Sequence, residues 1–304
     1  MATQNPTVAA AAPVAAPKKK KEEKISNVRG VRNAFFVILA CAVVAVCIFL
    51  FLMGLYSNFE GSKDGWQAMG WKSPFSAFSG AAESPHPTNL AGTVYKGGFI
   101  VPILMTLLLT VIVLSIERWI AIRSAAGKGN TTKFVSDIKA DLAMGNIDAA
   151  MQRCKDQRGS VAAVIYSTLV KYKEMDQNQI LSKEQKLTTL RNEVEEATAL
   201  EMPALSQNLP IVATLTTLGT LVGLLGTVMG MIKSFQALAT SGSPDSTELS
   251  TGISEALVNT AFGIATGAFA VISYNFFTNK IDNLTYAIDE IGFSIVATFA
   301  ATHN

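Results

Sequence analysis

The sequence predicts an all-α, polytopic membrane protein whose long helices extend into the cytoplasm and carry a small helical domain there. Three observations predict it. Four apolar runs approach the roughly 20 residues needed to cross a bilayer. Of 304 residues, 49% are hydrophobic and only 16% are charged, with a mean hydropathy of +0.32; that balance marks a polytopic membrane chain. The basic residues are also segregated by loop. Residues 123–205 carry twelve Lys and Arg, residues 57–96 carry Lys63, Lys72 and Lys96, and residues 241–250 carry none. Positive charge gathers on the cytoplasmic side. Both termini and the large loop are therefore expected inside, and the other two loops outside.

The elements follow in order. Residues 1–33 run from Ala/Pro-rich sequence into KKKKEEK and form a disordered basic cytoplasmic tail. That tail serves either as a topology signal or as a contact for anionic lipid. Residues 34–56 are a retained first span, since no small-x-small cleavage site closes the run. Residues 57–97 form an external segment with Trp66 and Trp71 as interfacial anchors. Residues 98–120 are the second span. They end in Glu117, Arg118 and Trp119, a charged pair at the inner interface with an aromatic anchor.

Residues 121–205 read as the cytoplasmic helical domain. Phe134, Ile138 and Leu142 recur at a spacing of four, with Gly145-Asn146 as a stop. A helix from Ile147 to Arg153 is expected next, stopped by Arg158-Gly159, and Ser160 is expected to cap the one after it. From Ser182 the pattern becomes continuous. It predicts one helix running into the third span, about 80 Å long at 1.5 Å per residue, with Pro203 and Pro210 as kink points. Residues 206–239 are the third span, 240–250 an outer turn, 251–279 the fourth span, and 280–304 a cytoplasmic C-terminal helix.

The third and fourth spans form a hairpin with unusual lining. Gly219, Gly223, Gly226 and Gly230 share one face of the third span, with Thr216, Thr220 and Thr227 beside it. The fourth span has the GxxxG pair Gly263 and Gly267, with Asn259, Thr260 and Thr266. Small residues let helices approach closely in lipid, where hydrophobicity alone does not draw them together. Threonine hydroxyls either line a path or bond back to the preceding turn. Glu255 is either a functional acid of the span or a helix-start acid favoured by the macrodipole. Lys233 either snorkels to the outer interface or pairs with Glu255 as a gate.

These residues carry a resemblance. GLLGTVMGM, then a polar turn, then EALVNTAFG and AVISYN resemble the MotA/TolQ/ExbB proton-channel family, closest to its ExbB branch, from about Gly98 onward. Two prolines usual in the family correspond to Thr220 and Phe269 here. The resemblance implies a ring-shaped homo-oligomer, a pentamer around a partner dimer, whose symmetry mismatch suggests rotation driven by proton flow. It implies an ExbD-like single-span partner with an intramembrane Asp, and a TonB-like protein beyond it. It assigns Thr227, Thr260 and Glu255 to the proton path. Thr220, Asn259, Thr266 and Lys233 are candidates for additional polar lining, and the spacing of the six glycines places them at helix contacts.

Other chemistry has no support in the sequence. GLLGTVMG lacks the lysine of a phosphate-binding loop and follows no soluble strand. No nucleophile motif stands out. His86 and His303 lack ligand-like neighbours, and Cys41, Cys47 and Cys154 imply no disulfide framework. An enzyme, a cofactor other than the proton as coupling ion, a metal and a nucleic-acid partner are all unexpected. Between Ser206 and Lys280 no Asp lies inside an apolar run and Glu255 is the only acid near one. The chain can therefore line a path with hydroxyls but is not expected to supply the central proton carrier; the resemblance implies that the partner does. A non-conducting scaffold, a TolQ-type subunit, a flagellar stator and a gliding motor remain open beside the ExbB-type reading.

Overall fold

The computed structural model describes residues 34–54, 58, 89–240 and 246–302. The basic tail, Trp66, Trp71, both histidines and the centre of the outer turn lie outside the described residues. Every regular element among the described residues is helical: α1 (Ala34–Cys47), continued by a π-helical turn (Ile48–Met53), then α2 (Leu90–Tyr95), α3 (Ile100–Ala126), α4 (Thr131–Ala143), α5 (Ile147–Gln157), α6 (Gly159–Gln177), α7 (Lys183–Ser206), α8 (Leu209–Thr240) and α9 (Ser246–Thr302). Four stretches are long and apolar enough to cross a membrane: residues 34–53, one within α3, one in the α7–α8 run and one in α9.

Local chemistry sets the boundaries in the polar region. The Asn130 side chain accepts from Thr132 N at the start of α4. Ser182 and Gln185 close a reciprocal capping box at the start of α7, which satisfies two amides the helix leaves orphaned. Ser160 is a correction. The chain enters α6 through Arg158 and Gly159, both at positive φ, rather than through the extended backbone a capping serine needs. Ser160 therefore sits inside the first turn, fully buried, and its hydroxyl has no hydrogen-bond partner. Gly159 is obligatory there, because a Cβ would strike the Ala125 carbonyl.

The long helix expected from Ser182 into the third span is interrupted. α7 passes through Pro203 unbroken and stops at Ser206; α8 begins at Leu209. Pro210 sits in the first turn of α8, where a missing N–H costs least, but it leaves the Ser206 carbonyl without its helical donor. The break is held from elsewhere in the chain. Arg118 on α3 is fully buried, and its guanidinium donates to the carbonyls of Ala204 (3.1 Å) and Leu205 (3.0 Å). Glu117 grips the same guanidinium at 2.6 and 2.5 Å, and Asn208 Nδ2 donates to Glu117 at 3.2 Å. The interfacial pair expected from the sequence is thus an internal clamp on a helix break.

The fourth span and the C-terminal helix expected at 280–304 lie on one helix, because α9 runs without interruption from the hairpin to Thr302. Its 57 residues make a rod of about 85 Å, and Phe269 lies inside it as Thr220 lies inside α8. The lower half of α9 is the strut of a helical lobe. Leu284, Ile288, Ile291, Ile295 and Phe299 face inward at helical spacing and meet Phe134, Ile138 and Leu142 of α4, Ile165 and Leu169 of α6, and Leu190 of α7. Arg153 ties α5 to α4 through Asp141 (2.5 Å) and Asp137 (3.2 Å), and its hydrogen bond to Asp141 raises its pKa further. At the opposite end of the molecule α1 and its π turn pack on α3 through Ala45, Phe49, Val101 and Met105.

Candidate functional site

The site is built on the α8–α9 hairpin, and glycine sets how closely its helices approach. A Cβ at Gly223 would stand 2.9 Å from the Gly263 Cα, and one at Gly226 would stand 2.5 Å from the Asn259 Cβ. Gly219 opposes Thr266, Gly230 opposes Gly252 and Ala256, and Gly267 opposes Thr220 and the Thr216 carbonyl. All six glycines singled out from the sequence therefore make their close contacts within the hairpin of one chain. Backbone-to-backbone packing of this kind needs residues without side chains on both helices.

That ridge sorts the polar residues into two groups. Asn259 and Thr266 lie on it and are fully buried. Asn259 Nδ2 donates to the Gly97 carbonyl at 3.1 Å, and Thr266 donates to Phe262 O at 2.8 Å. Expected as additional polar lining, these two are turned inside in the hairpin, where the glycines opposite leave room for them. Thr216, Thr220 and Thr227 run instead along one edge of the ridge, where Thr220 is exposed and Thr216 and Thr227 are half-buried. Thr260 meets that edge from α9.

The Thr227 and Thr260 hydroxyls hydrogen-bond to each other. Each also lies within reach of a carbonyl of its own helix, Gly223 O at 3.3 Å and Ala256 O at 3.1 Å. A hydroxyl has one proton to give and two lone pairs to receive with. The pair therefore forms a short chain with two orientations. Thr227 donates to Thr260 and Thr260 to Ala256, or Thr260 donates to Thr227 and Thr227 to Gly223. In either orientation an acceptor lone pair is left on the half-buried edge.

Glu255 stands five residues before Thr260, about 7.5 Å along the helix axis. It is buried, and Lys233 Nζ donates to its Oε1 at 2.7 Å; the Lys233 side chain is 48% exposed against 11% for Glu255. The pairing alternative for Lys233 is the one the geometry displays. The turn between α2 and α3 closes over this ion pair. Gly98 there has φ +77°, and a Cβ on it would collide with the Glu255 carboxylate. The sequence reading missed Gly97 and Gly98; a Gly-Gly pair just before an apolar run was the available signal. It also missed that Arg118 is internal, since its partners lie 86 and 87 residues away.

Residues 160–290 match the model of the MotA/TolQ/ExbB proton channel family. That stretch of the chain is similar to the family. The matched stretch begins in the first turn of α6 and ends within α9, so it holds α6, α7 and the whole hairpin. It is shorter than the likeness from Gly98 expected from the motifs, and α1 to α5 lie outside it. The matched stretch includes two of the four runs that are long and apolar enough to cross a membrane. No curated protein matches the chain.

Proposed function

We propose that the chain is a proton-channel subunit of a bacterial inner membrane that converts proton motive force into mechanical work, a rotation, for TonB-dependent outer-membrane transport. The protein works as a homo-oligomer, a pentameric ring, around an ExbD-like single-span subunit, and acts on a TonB-like protein. The lobe and both termini lie in the cytoplasm, as the distribution of basic residues favours. The proton is the coupling ion. Neither an enzymatic reaction nor a bound cofactor is needed.

The observation that carries this reading is the Thr227–Thr260 hydroxyl pair at the accessible edge of the hairpin, inside the matched stretch. A carboxylate from a partner helix accepts from such a hydroxyl, and the protonated acid donates to it. One site thus serves both protonation states. Glu255, balanced by Lys233, gathers or releases protons at the outer mouth. The short outer turn and the ExbB-like wording of both motifs favour the TonB system over a TolQ, stator or gliding role. A non-conducting scaffold draws its support from the threonines' bonds to their own helices and the glycine contacts within one chain.

The proposal is tested by purifying the complex from native membranes in mild detergent and identifying what accompanies it. The expected result is a homo-oligomer holding a small single-span protein with an Asp in its span. A monomer, or a homo-oligomer with no such companion, contradicts it.

A further inference from the structure

Two stripes run down the outside of the molecule and end at one cavity. On α3, Ile112, Ile116, Trp119 and Arg123 recur at spacings of four, three and four; on α9, Phe269, Ile272, Phe276 and Lys280 recur at three, four and four. All eight side chains are exposed. Each stripe passes from aliphatic or aromatic residues to an interfacial ring and then to a cation one turn below. The two rings stack on each other, with centroids 5.7 Å apart and planes 8° from parallel, and Lys280 Nζ lies 5.7 Å from the Phe276 centroid.

Beneath the stacked rings is a cavity of about 830 Å³ between α3, α4 and α9. Three cations line it, Arg123, Lys139 and Lys280, against one acid, Glu290. Glu290 is taken by Lys139 at 2.5 Å, and among the described residues neither Arg123 nor Lys280 enters a salt bridge. The cavity is thus net positive at its mouth, directly below an apolar track. Thr131, Thr132 and Asn283 add polar groups to its walls.

We propose that this cavity is a binding site for an acidic phospholipid. Its acyl chains lie along the two apolar stripes, and its phosphodiester sits between Arg123 and Lys280. The amphipathic order of the stripes matches that of the lipid, with hydrocarbon, then interfacial rings, then charge. A zwitterionic lipid brings its own cation into an already positive mouth and is disfavoured. Each Lys or Arg near the membrane surface attracts acidic lipid by an amount that, for two, corresponds to at least about a tenfold change in affinity. The site holds α3 and α4, outside or at the margin of the hairpin, to the lower half of α9, and needs no proton movement to operate.

The test is native mass spectrometry of the full-length chain in mild detergent, loaded with phosphatidylglycerol or phosphatidylcholine. Phosphatidylglycerol is expected to be retained at least about tenfold better. Arg123→Ala with Lys280→Ala should abolish that preference, and both side chains are exposed, so folding is not at stake. Arg123→Lys with Lys280→Arg should keep it. Lys128→Ala with Lys133→Ala, two exposed cations outside this cavity, should leave it unchanged. Equal retention of the two lipids, or an unaltered preference in the double alanine variant, overturns the site. Displacement of the lipid by inorganic phosphate at matched concentration assigns the cavity to a soluble anion and overturns the lipid.

Discussion

Arg118 shows how one side chain decides a boundary that its own neighbourhood does not announce. Local sequence placed it at a membrane interface, where an Arg-Trp pair usually snorkels. In the fold it is fully buried, with four hydrogen-bond acceptor atoms supplied by the end of α7 and by Glu117. A guanidinium suits this place because its fixed fork reaches a carboxylate and two carbonyls at once. Arg118→Met should strand Glu117 and both carbonyls, at a cost of about 3–5 kcal/mol. Arg118→Lys should recover only part, since one ammonium cannot span all the acceptors. Thermal unfolding of the purified chain measures this; an unchanged midpoint for Arg118→Met contradicts the clamp. Ser160 makes the same point in reverse. Its type suits a cap, but the positive φ of Arg158 and Gly159 was not readable from a local motif.

Most elements could be read from periodicity, because each buries one face. Phe134, Ile138 and Leu142 were expected on one side of a helix, and all three are buried. The glycines were expected at close helix contacts; in the fold a Cβ on any of the six would crowd the opposing helix of the hairpin. Spacing on one helix identifies a packing face but not which helix meets it, so contact inside one hairpin and contact between subunits looked alike. The break between α7 and α8 was hidden for a related reason: the apolar pattern continues across it, and the groups that stabilise it come from α3. At this scale the hairpin gives a direct prediction. Gly223→Leu places a side chain where the Gly263 Cα stands 2.9 Å from a bare Cβ. The helices must separate, costing about 1–3 kcal/mol or more, whereas Leu224→Ala on the exposed face should cost little. Equal melting of the two variants counts against the ridge.

For the whole molecule, the distribution of Lys and Arg fixes the expected orientation, and the fold supplies the means to test it. Cys154 cannot serve as the reporter. It is fully buried, and burial pushes its thiol up to about 12, so at neutral pH it is both inaccessible and un-ionised. Met144, 72% exposed at the end of α4, can serve. With Met144→Cys in a Cys154→Ala background, a membrane-impermeant maleimide should spare residue 144 in intact cells and label it once the membrane is opened. Labelling in intact cells reverses the orientation. The pairing of Lys233 with Glu255 and the Gly97–Gly98 turn above them belong to this scale too. They join three segments that are remote in sequence, so no single motif could declare them.

The central claim is that the Thr227–Thr260 hydroxyl pair handles the proton, and partner-dependent proton leak in proteoliposomes tests it most directly. Valine keeps the shape of threonine without the hydroxyl. In Thr260→Val the remaining Thr227 hydroxyl keeps Gly223 O as its acceptor, so stability should fall by only about 1 kcal/mol. The intact complex bearing Thr260→Val is expected to assemble normally and lose its leak. Glu255→Ala is expected to reduce the leak, and Glu255→Asp to reduce it less. If Thr260→Val and Glu255→Ala conduct protons like the parent complex, the hydroxyl pair is helix packing alone and the account of the proton path is wrong.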